Sequence, residues 1–329
     1  MNMAQRTPVN IVFLDRNTIP AHIVLPTPHS PHHWQAYGET QPDEVVSRLQ
    51  KAEVAITNKV VIDETVLAAC PNLKLIAVAA TGVNNVDLAA CQARGVQVCN
   101  VQGYATQSVP EHVIALIFAL KRQLLGYHLD VQHGAWQQHG QFCFFTHPIG
   151  SVAGSKLGII GKGVLGEAVA RLARAVGMTV MFAEHHGATH CREGYLPFDE
   201  VISRADILSL HCPLNPNTEA LINRDVLACM PNHALLINTG RGGLVDEHAL
   251  LDALKTGQIG GAGLDVLSEE PAPDDHPLIT ASLPNLIVTP HIAWGADEAV
   301  NRLSQQLMDN IDGYLQGTPQ HTLINTAAR

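Results

Sequence analysis

The stretch from Ser155 to Glu184, SKLGIIGKGVLGEAVARLARAVGMTVMFAE, constrains this chain more than any other. An apolar strand runs into Gly161, Gly163 and Gly166, an amphipathic helix starts within that run of glycines, and a second strand ends on Glu184. The first glycine permits a tight turn, the second leaves room for a pyrophosphate at the helix N-terminus, and the third lets helix and strand pack closely. Glu184 follows Gly166 by 18 residues, a spacing that suits a carboxylate accepting hydrogen bonds from an adenosine ribose. The complete order of strand, turn, helix, strand and acid predicts a parallel α/β unit that binds a dinucleotide. A carboxylate at that point repels a 2′-phosphate, which favours NAD(H) over NADP(H), while His185, His186 and Arg192 temper the preference.

The same rhythm is written twice. From Val9 onward VNIVFLD, AEVAIT, LKLIAVAA and VQVCN read as strands, alternating with the helical segments PDEVVSRLQ, DETVLAAC and VDLAACQARG. After a break near residues 140–156 come SKLGIIG, a helix from Val164 to Val176, MTVMFAE, a helix near Asp199 to Arg204, DILSLHCP, HALLINTG, DEHALLDALKTG and GAGLDV. Alternation of this kind predicts parallel sheets. Between the units a long helical stretch, SVPEHVIALIFALKRQLLGYHLDVQHGAW, places Pro110 in a first turn and Glu111 at the positive end of the helix dipole. It is read as bridging the units or packing on a partner subunit. The last helix, ADEAVNRLSQQLMDNIDGYLQG, is isolated from the second unit and is expected to return to the first.

Composition removes several classes of function. With 329 residues, 46% apolar and 15% charged, the chain is foldable and long enough for about two domains. Thirty acidic against 20 basic residues give a net charge of -10, which disfavours nucleic acid as a main partner. No apolar run approaches the roughly 18 to 20 residues of a membrane span. The first residues lack the basic head, apolar run and cleavage site of a secretory leader, so a cytoplasmic location is expected. Seven scattered cysteines without a CxxC pair read as reduced thiols, and the irregular HHGATHC segment reads as solvated rather than metal-binding.

Three residues stand just beyond predicted strands: Arg241 after LLINTG, Glu270 in DVLSEEP and His291 in NLIVTPHIAW. The carboxyl edge of a doubly wound sheet is where ligands bind. With the glycine loop, the segments LHCPLNPNTEALIN, MPNHALLINTGRGGLVDEHALLDAL, GAGLDVLSEEP and TPHIAW resemble the D-isomer-specific 2-hydroxyacid dehydrogenases. The likeness covers nearly the whole chain, and VCNVQGYATQSV, QFCFF and HIAW are most similar to the glycerate dehydrogenase, or hydroxypyruvate reductase, branch.

The resemblance implies two doubly wound α/β domains, a Rossmann nucleotide domain over residues 105–295 inserted into a smaller flavodoxin-like substrate domain formed by 1–104 and 296–329, with the active site in the cleft. It implies that Arg241 binds the substrate carboxylate and carbonyl oxygen, that His291 is the general acid and base for a hydride transfer from NADH, and that Glu270 orients the imidazole and stabilises its charged form. It adds Thr106, Val164, Leu165, Cys212, Pro213 and Thr239 as cofactor-lining residues, with Asp265 a partner of the nicotinamide carboxamide. Substrate contacts are expected from Thr81 and Gly82 in AATGVNN, from Asn58 and Lys59 in AITNKV, and from Trp294. A surface lysine is the plainer alternative for Lys59.

Departures from the family pattern carry expectations of their own. Val164 replaces a commoner arginine in the loop, which leaves the pyrophosphate to backbone amides. Trp294 stands where relatives have a small residue, so short substrates such as hydroxypyruvate and glyoxylate are favoured over bulky 2-oxo acids. The apolar QFCFF segment is read as an arm in a two-fold dimer. The alternatives are a D-lactate-type or broad 2-oxo acid reductase and, in a different class, an NADH-sensing corepressor, disfavoured because the chain stops soon after its last helix. The lack of a basic cluster and of further length disfavours phosphoglycerate dehydrogenase, and Glu270 disfavours formate dehydrogenase.

Overall fold

Short runs of β-branched and apolar residues build two parallel sheets in the computed structural model, which describes residues 7–324. The first holds β1 (Val9–Phe13), β2 (His32–Ala36), β3 (Val54–Thr57), β4 (Leu75–Val78) and β5 (Gln97–Cys99) in the order β2-β1-β3-β4-β5. That order is the flavodoxin-like one. The second holds β6 (Lys156–Ile160), β7 (Thr179–Ala183), β8 (Ile207–Leu210), β9 (Leu235–Asn238), β10 (Gly261–Leu264) and β11 (Leu286–Val288) in the order β11-β10-β9-β8-β6-β7. Beyond β7 a further strand is reduced to one parallel bridge between Ala183 and Leu196. Counting it, the second sheet starts in the doubly wound order 3-2-1-4.

The chain divides into two compact units: residues up to Ala105 with those from Ala296 onward, and Thr106–Gly295. Every residue of β3, β4, β8, β9 and β10 is buried, because helices cover both faces of each sheet. Local chemistry sets the helix ends. The Asp63, Asp87 and Asp246 carboxylates accept N–H groups of the first turns of Glu64–Ala69, Leu88–Arg94 and Glu247–Thr256, and Gly95 and Gly257 close the last two helices in the left-handed region.

Two features depart from the pattern read in the sequence. The long middle stretch is broken into helices Ser108–Lys121, Leu124–Gln132 and Ala135–His139, with Gln123 in the left-handed region at φ 53°. Its first helix belongs to the second unit, where Val113, Leu116, Ile117 and Leu120 are buried and the helix packs on β9, β10 and the helix Val164–Ala175. The strand β2, HHWQA, carries no apolar alternation; it is an edge strand that forms only through its register with β1, from Val9 opposite His32 to Phe13 opposite Ala36. The final helix, Asp297–Gln316, belongs to the first unit and buries Val300, Leu303, Leu307 and Ile311.

Candidate active site

Sheet order determines which loops meet at the carboxyl edge of the second unit. The loops after β9, β10 and β11 carry Arg241, Glu270 and His291, and these three strands are consecutive neighbours. The loops after β9 and β10 also interlock: a Cβ on Gly242 would stand 1.9 Å from the carbonyl carbon of Leu267 and 2.3 Å from the Ser268 nitrogen. Only glycine permits that approach, which packs the residue after Arg241 onto the segment leading to Glu270.

His291 Nδ1 lies 2.7 Å from Glu270 Oε2, while Glu270 Oε1 accepts the Leu267 N–H at 3.0 Å. One carboxylate thus fixes the imidazole with one oxygen and its own loop with the other. His291 has φ 55°, a conformation that costs a non-glycine residue on the order of 1 to 3 kcal/mol and needs support from its surroundings. The support is visible. Its N–H donates to the Asp265 and Thr289 carbonyls at 2.8 and 3.0 Å, and its carbonyl accepts the Trp294 indole N–H at 2.9 Å.

Asp265, 1% exposed, braces the same loop through its side chain. Its Oδ1 accepts the Thr289 hydroxyl at 2.6 Å and the Ile292 N–H at 2.9 Å, and Oδ2 accepts the Ala293 N–H at 2.8 Å. His112, on the helix Ser108–Lys121, reaches Thr289 Oγ1 at 3.0 Å. On the other side Asn238, fully buried, donates from Nδ2 to the Arg241 carbonyl at 2.9 Å and accepts the Gly240 N–H at 3.0 Å, so one side chain pins both ends of the arginine turn. Arg241 Nη1 itself donates to the Gly240 carbonyl at 2.7 Å. Neither Asn238 nor the bracing use of Asp265 emerged from the sequence; an amide closing a β strand at the carboxyl edge is the signal that could have flagged Asn238.

The glycine loop leaves β6 at the point where the strand order reverses, with β7 on one side and β8 on the other. A Cβ on Gly161, at φ 100°, would collide with the backbone of His211 and Cys212, the segment after β8, and one on Gly166 would meet the Gly161 carbonyl oxygen at 2.0 Å. A Cβ on Gly163 would meet nothing within 4 Å, leaving the N-terminus of the helix Val164–Ala175 open. Thr239 Oγ1 is buried without a hydrogen-bond partner among the described residues. An open glycine cradle at a helix N-terminus and an orphaned hydroxyl on the neighbouring edge fit a bound dinucleotide. Val164 is well exposed and Leu165 half-buried on the same turn, Cys212 and Thr106 are half-buried, Pro213 is exposed, and burial pushes the Cys212 thiol up.

Glu184 directly follows β7, but not as the open acceptor read from the sequence. Its carboxylate is 3% exposed and lies beneath Arg192, whose guanidinium holds it down to about 2. His186 rests edge-on against Phe198 at 4.8 Å between ring centroids, and among the described residues no group of His, Cys, Asp or Glu could hold a metal ion.

The remaining candidates belong to the first unit. Asn58 and Lys59 follow β3, and Thr81 and Gly82 lie beyond β4, all at the carboxyl edge of that sheet. Their turn is anchored by Asp15, at the end of β1, whose buried carboxylate accepts the N–H groups of Asn58, Lys59 and Val60 at 2.7 to 3.2 Å. Burial pushes the Asp15 carboxyl up and these N–H donors oppose the shift. Thr81 donates its hydroxyl to the Val101 carbonyl at 2.8 Å, and its own carbonyl accepts Asn100 Nδ2 at 2.7 Å. Among the described residues no helix is long and apolar enough to cross a membrane.

The profile of the D-isomer specific 2-hydroxyacid dehydrogenase NAD-binding domain matches residues 114–293. A glycerate dehydrogenase from Methylorubrum extorquens is 46% identical over 95% of this chain and 98% of its own, and a hydroxypyruvate reductase from Blautia hydrogenotrophica is 37% identical over 85% and 87%. Among solved structures, a D-lactate dehydrogenase from Aquifex aeolicus, complexed with NAD and lactic acid, superposes with a TM-score of 0.76 at 27% identity over 94% of this chain and 96% of that one.

Proposed function

The chain belongs to the D-isomer-specific 2-hydroxyacid dehydrogenase family, an NAD-dependent enzyme of the glycerate dehydrogenase and hydroxypyruvate reductase kind, and on that premise we propose that it reduces short 2-oxo acids, hydroxypyruvate and glyoxylate, to D-glycerate and glycolate. The observation that carries the reading is the 2.7 Å pair of His291 Nδ1 with Glu270, next to the arginine turn that Gly242 locks onto the same loop. The dinucleotide is held by Gly161, Gly163, Val164, Leu165 and Gly166, with Thr106, Cys212, Pro213, Thr239 and Asp265 as further contacts. When bound in its reduced form it supplies the hydride.

Arg241 binds the substrate carboxylate and carbonyl oxygen, a task that suits the planar fork of a guanidinium. Glu270 occupies Nδ1 of His291, which leaves Nε2 to give its proton to the carbonyl oxygen as negative charge develops there, and to recover it in the reverse direction. The Glu270 carboxylate stabilises the imidazolium before that transfer. Asn58, Lys59, Thr81 and Gly82 bind the substrate from their own loops, Lys59 by charge and the loop amides by hydrogen bonds. The bulk of Trp294, tied back to the His291 carbonyl, supports the preference for small substrates.

We further propose a cytoplasmic homodimer. Seven free cysteines suit a reducing compartment. The QFCFF segment supports the dimer, with Phe142 93% and Phe145 78% exposed beside the partly exposed Leu124, Leu125, Leu129 and Trp136.

The test is the disappearance of NADH absorbance with hydroxypyruvate, glyoxylate, pyruvate and a bulky 2-oxo acid, repeated with His291→Ala. Hydroxypyruvate and glyoxylate should be turned over fastest, and the variant should lose on the order of a hundredfold or more in kcat. Turnover confined to another oxo acid would replace the substrate, and NADH binding without turnover of any acid would move the protein to the sensor class.

A further inference from the structure

The strongest unexplained chemistry lies at the end of β7, where the carboxylate expected to meet the adenosine ribose is already full. Glu184 Oε1 accepts the His185 N–H at 2.8 Å and Arg192 Nη2 at 2.6 Å; Oε2 accepts the Arg192 N–H at 3.0 Å and Arg192 Nε at 2.8 Å. An ionised carboxylate offers roughly four lone-pair sites, so these four donors leave nothing for ribose hydroxyls. The carboxylate is 3% exposed while the Arg192 side chain above it is 55% exposed, so the group presented to solvent is the guanidinium. It engages Glu184 through Nε and Nη2, two of its roughly five N–H donors, and the others remain for a ligand.

A second cation approaches the same place. Arg192 stacks on the Tyr195 ring at 4.1 Å, and the Lys162 ammonium lies 5.2 Å from the centre of that ring and 4.9 Å from Phe182. Lys162 is the residue between Gly161 and Gly163, and its nearest carboxylate is Glu167 at 3.8 Å. The anion that would repel a 2′-phosphate is thus neutralised and covered, and an arginine and a lysine flank the ring beside it.

We infer that this subsite admits the 2′-phosphate of NADP(H) as well as the plain ribose of NAD(H), with Arg192 as the specificity-determining residue and Lys162 in support. The inference rests on the glycine loop binding a dinucleotide, as argued above. Glu184 acts here as a positioning residue that holds Arg192, not as the discriminating acceptor.

Calorimetric titration of the full chain with NADH, NADPH, 5′-AMP and 2′,5′-ADP tests it without turnover, since the last two ligands carry no nicotinamide. NADPH is expected within about tenfold of NADH, and 2′,5′-ADP at least as tight as 5′-AMP. Arg192→Ala should weaken 2′,5′-ADP by about tenfold or more while 5′-AMP changes by less than about threefold. Lys162→Met, which leaves the Glu184 clamp untouched, should weaken 2′,5′-ADP by about threefold. A wild-type protein that binds 2′,5′-ADP roughly a hundredfold more weakly than 5′-AMP, or variants that leave the ratio unchanged, would overturn the inference while leaving the dinucleotide reading intact. Failure of all four ligands to bind would remove that reading, and this inference with it.

Discussion

At the scale of single residues the candidate chemistry depends on side chains that each hold more than one partner. Glu270 fixes the imidazole and its own loop, Asp265 holds three donors of the loop that carries His291, and Asn238 pins both sides of the arginine turn. Glu270→Gln removes the negative charge proposed to stabilise the imidazolium and leaves a single acceptor oxygen, which can serve Nδ1 of His291 only if the Leu267 N–H gives up its partner. Steady-state kinetics should show kcat for oxo acid reduction falling by about a hundredfold, with KM changed by less than about threefold, the pattern of an interaction made chiefly in the transition state. A large rise in KM with kcat preserved would instead make Glu270 a substrate-binding group. The positions of the trio beyond three neighbouring strands were legible in the sequence, and the roles expected of them came from the family resemblance. The bracing contacts were not, since Asn238 closes β9, Asp265 directly follows β10, and their partners are known only once the loops are folded.

At the scale of elements, glycines divide into those that make room for the chain and those that make room for a ligand. Gly242 is of the first kind, since a Cβ would collide with Leu267, and Gly163, where a Cβ would meet nothing, is proposed for the second. Gly242→Ala must move the segment carrying Glu270, and overpacking of this sort costs on the order of 1 to 3 kcal/mol. A thermal melt should record a fall of about 3 to 10 °C for that variant, with Gly163→Ala within about 2 °C of wild type but weakened in nucleotide binding. Equal melting temperatures for the two would mean that the loops after β9 and β10 are not locked together. The glycine loop was readable because turn, helix and strand are contiguous. The role of Gly242 was not, because the backbone it touches lies in the next crossover; likewise the edge strand β2 and the break at Gln123 arise from pairing and packing that no local pattern announces.

At the scale of the whole molecule, two parallel sheets were written as two alternating runs, and the isolated last helix signalled a chain that returns to its first unit. What the alternation hid is a histidine placed against the turn of the glycine loop. His211, after β8, donates its N–H to the Ile160 carbonyl at 2.7 Å, places Nε2 2.8 Å from the Ser209 hydroxyl, and presents the backbone against which Gly161 turns. Burial holds its imidazole down to about 4, below the ordinary 6.5. A folded value below the unfolded one means that its stabilisation is fully present above about pH 6.5 and is lost as pH falls toward 4. Between pH 7 and pH 5 the loss is at most about 2 kcal/mol, less where solvent reaches the half-buried residue. Two other perturbed groups do not confuse the measurement. Glu184, held down by Arg192, gives up its share only below about pH 4.5, and His29, pulled up by Asp312, acts with the opposite sign and is unchanged in a variant at position 211. Urea unfolding of wild type and His211→Gln at pH 7 and pH 5 therefore isolates the imidazole: wild type should lose more stability over the interval by up to about 2 kcal/mol, and equal losses would assign the acid sensitivity to some other group.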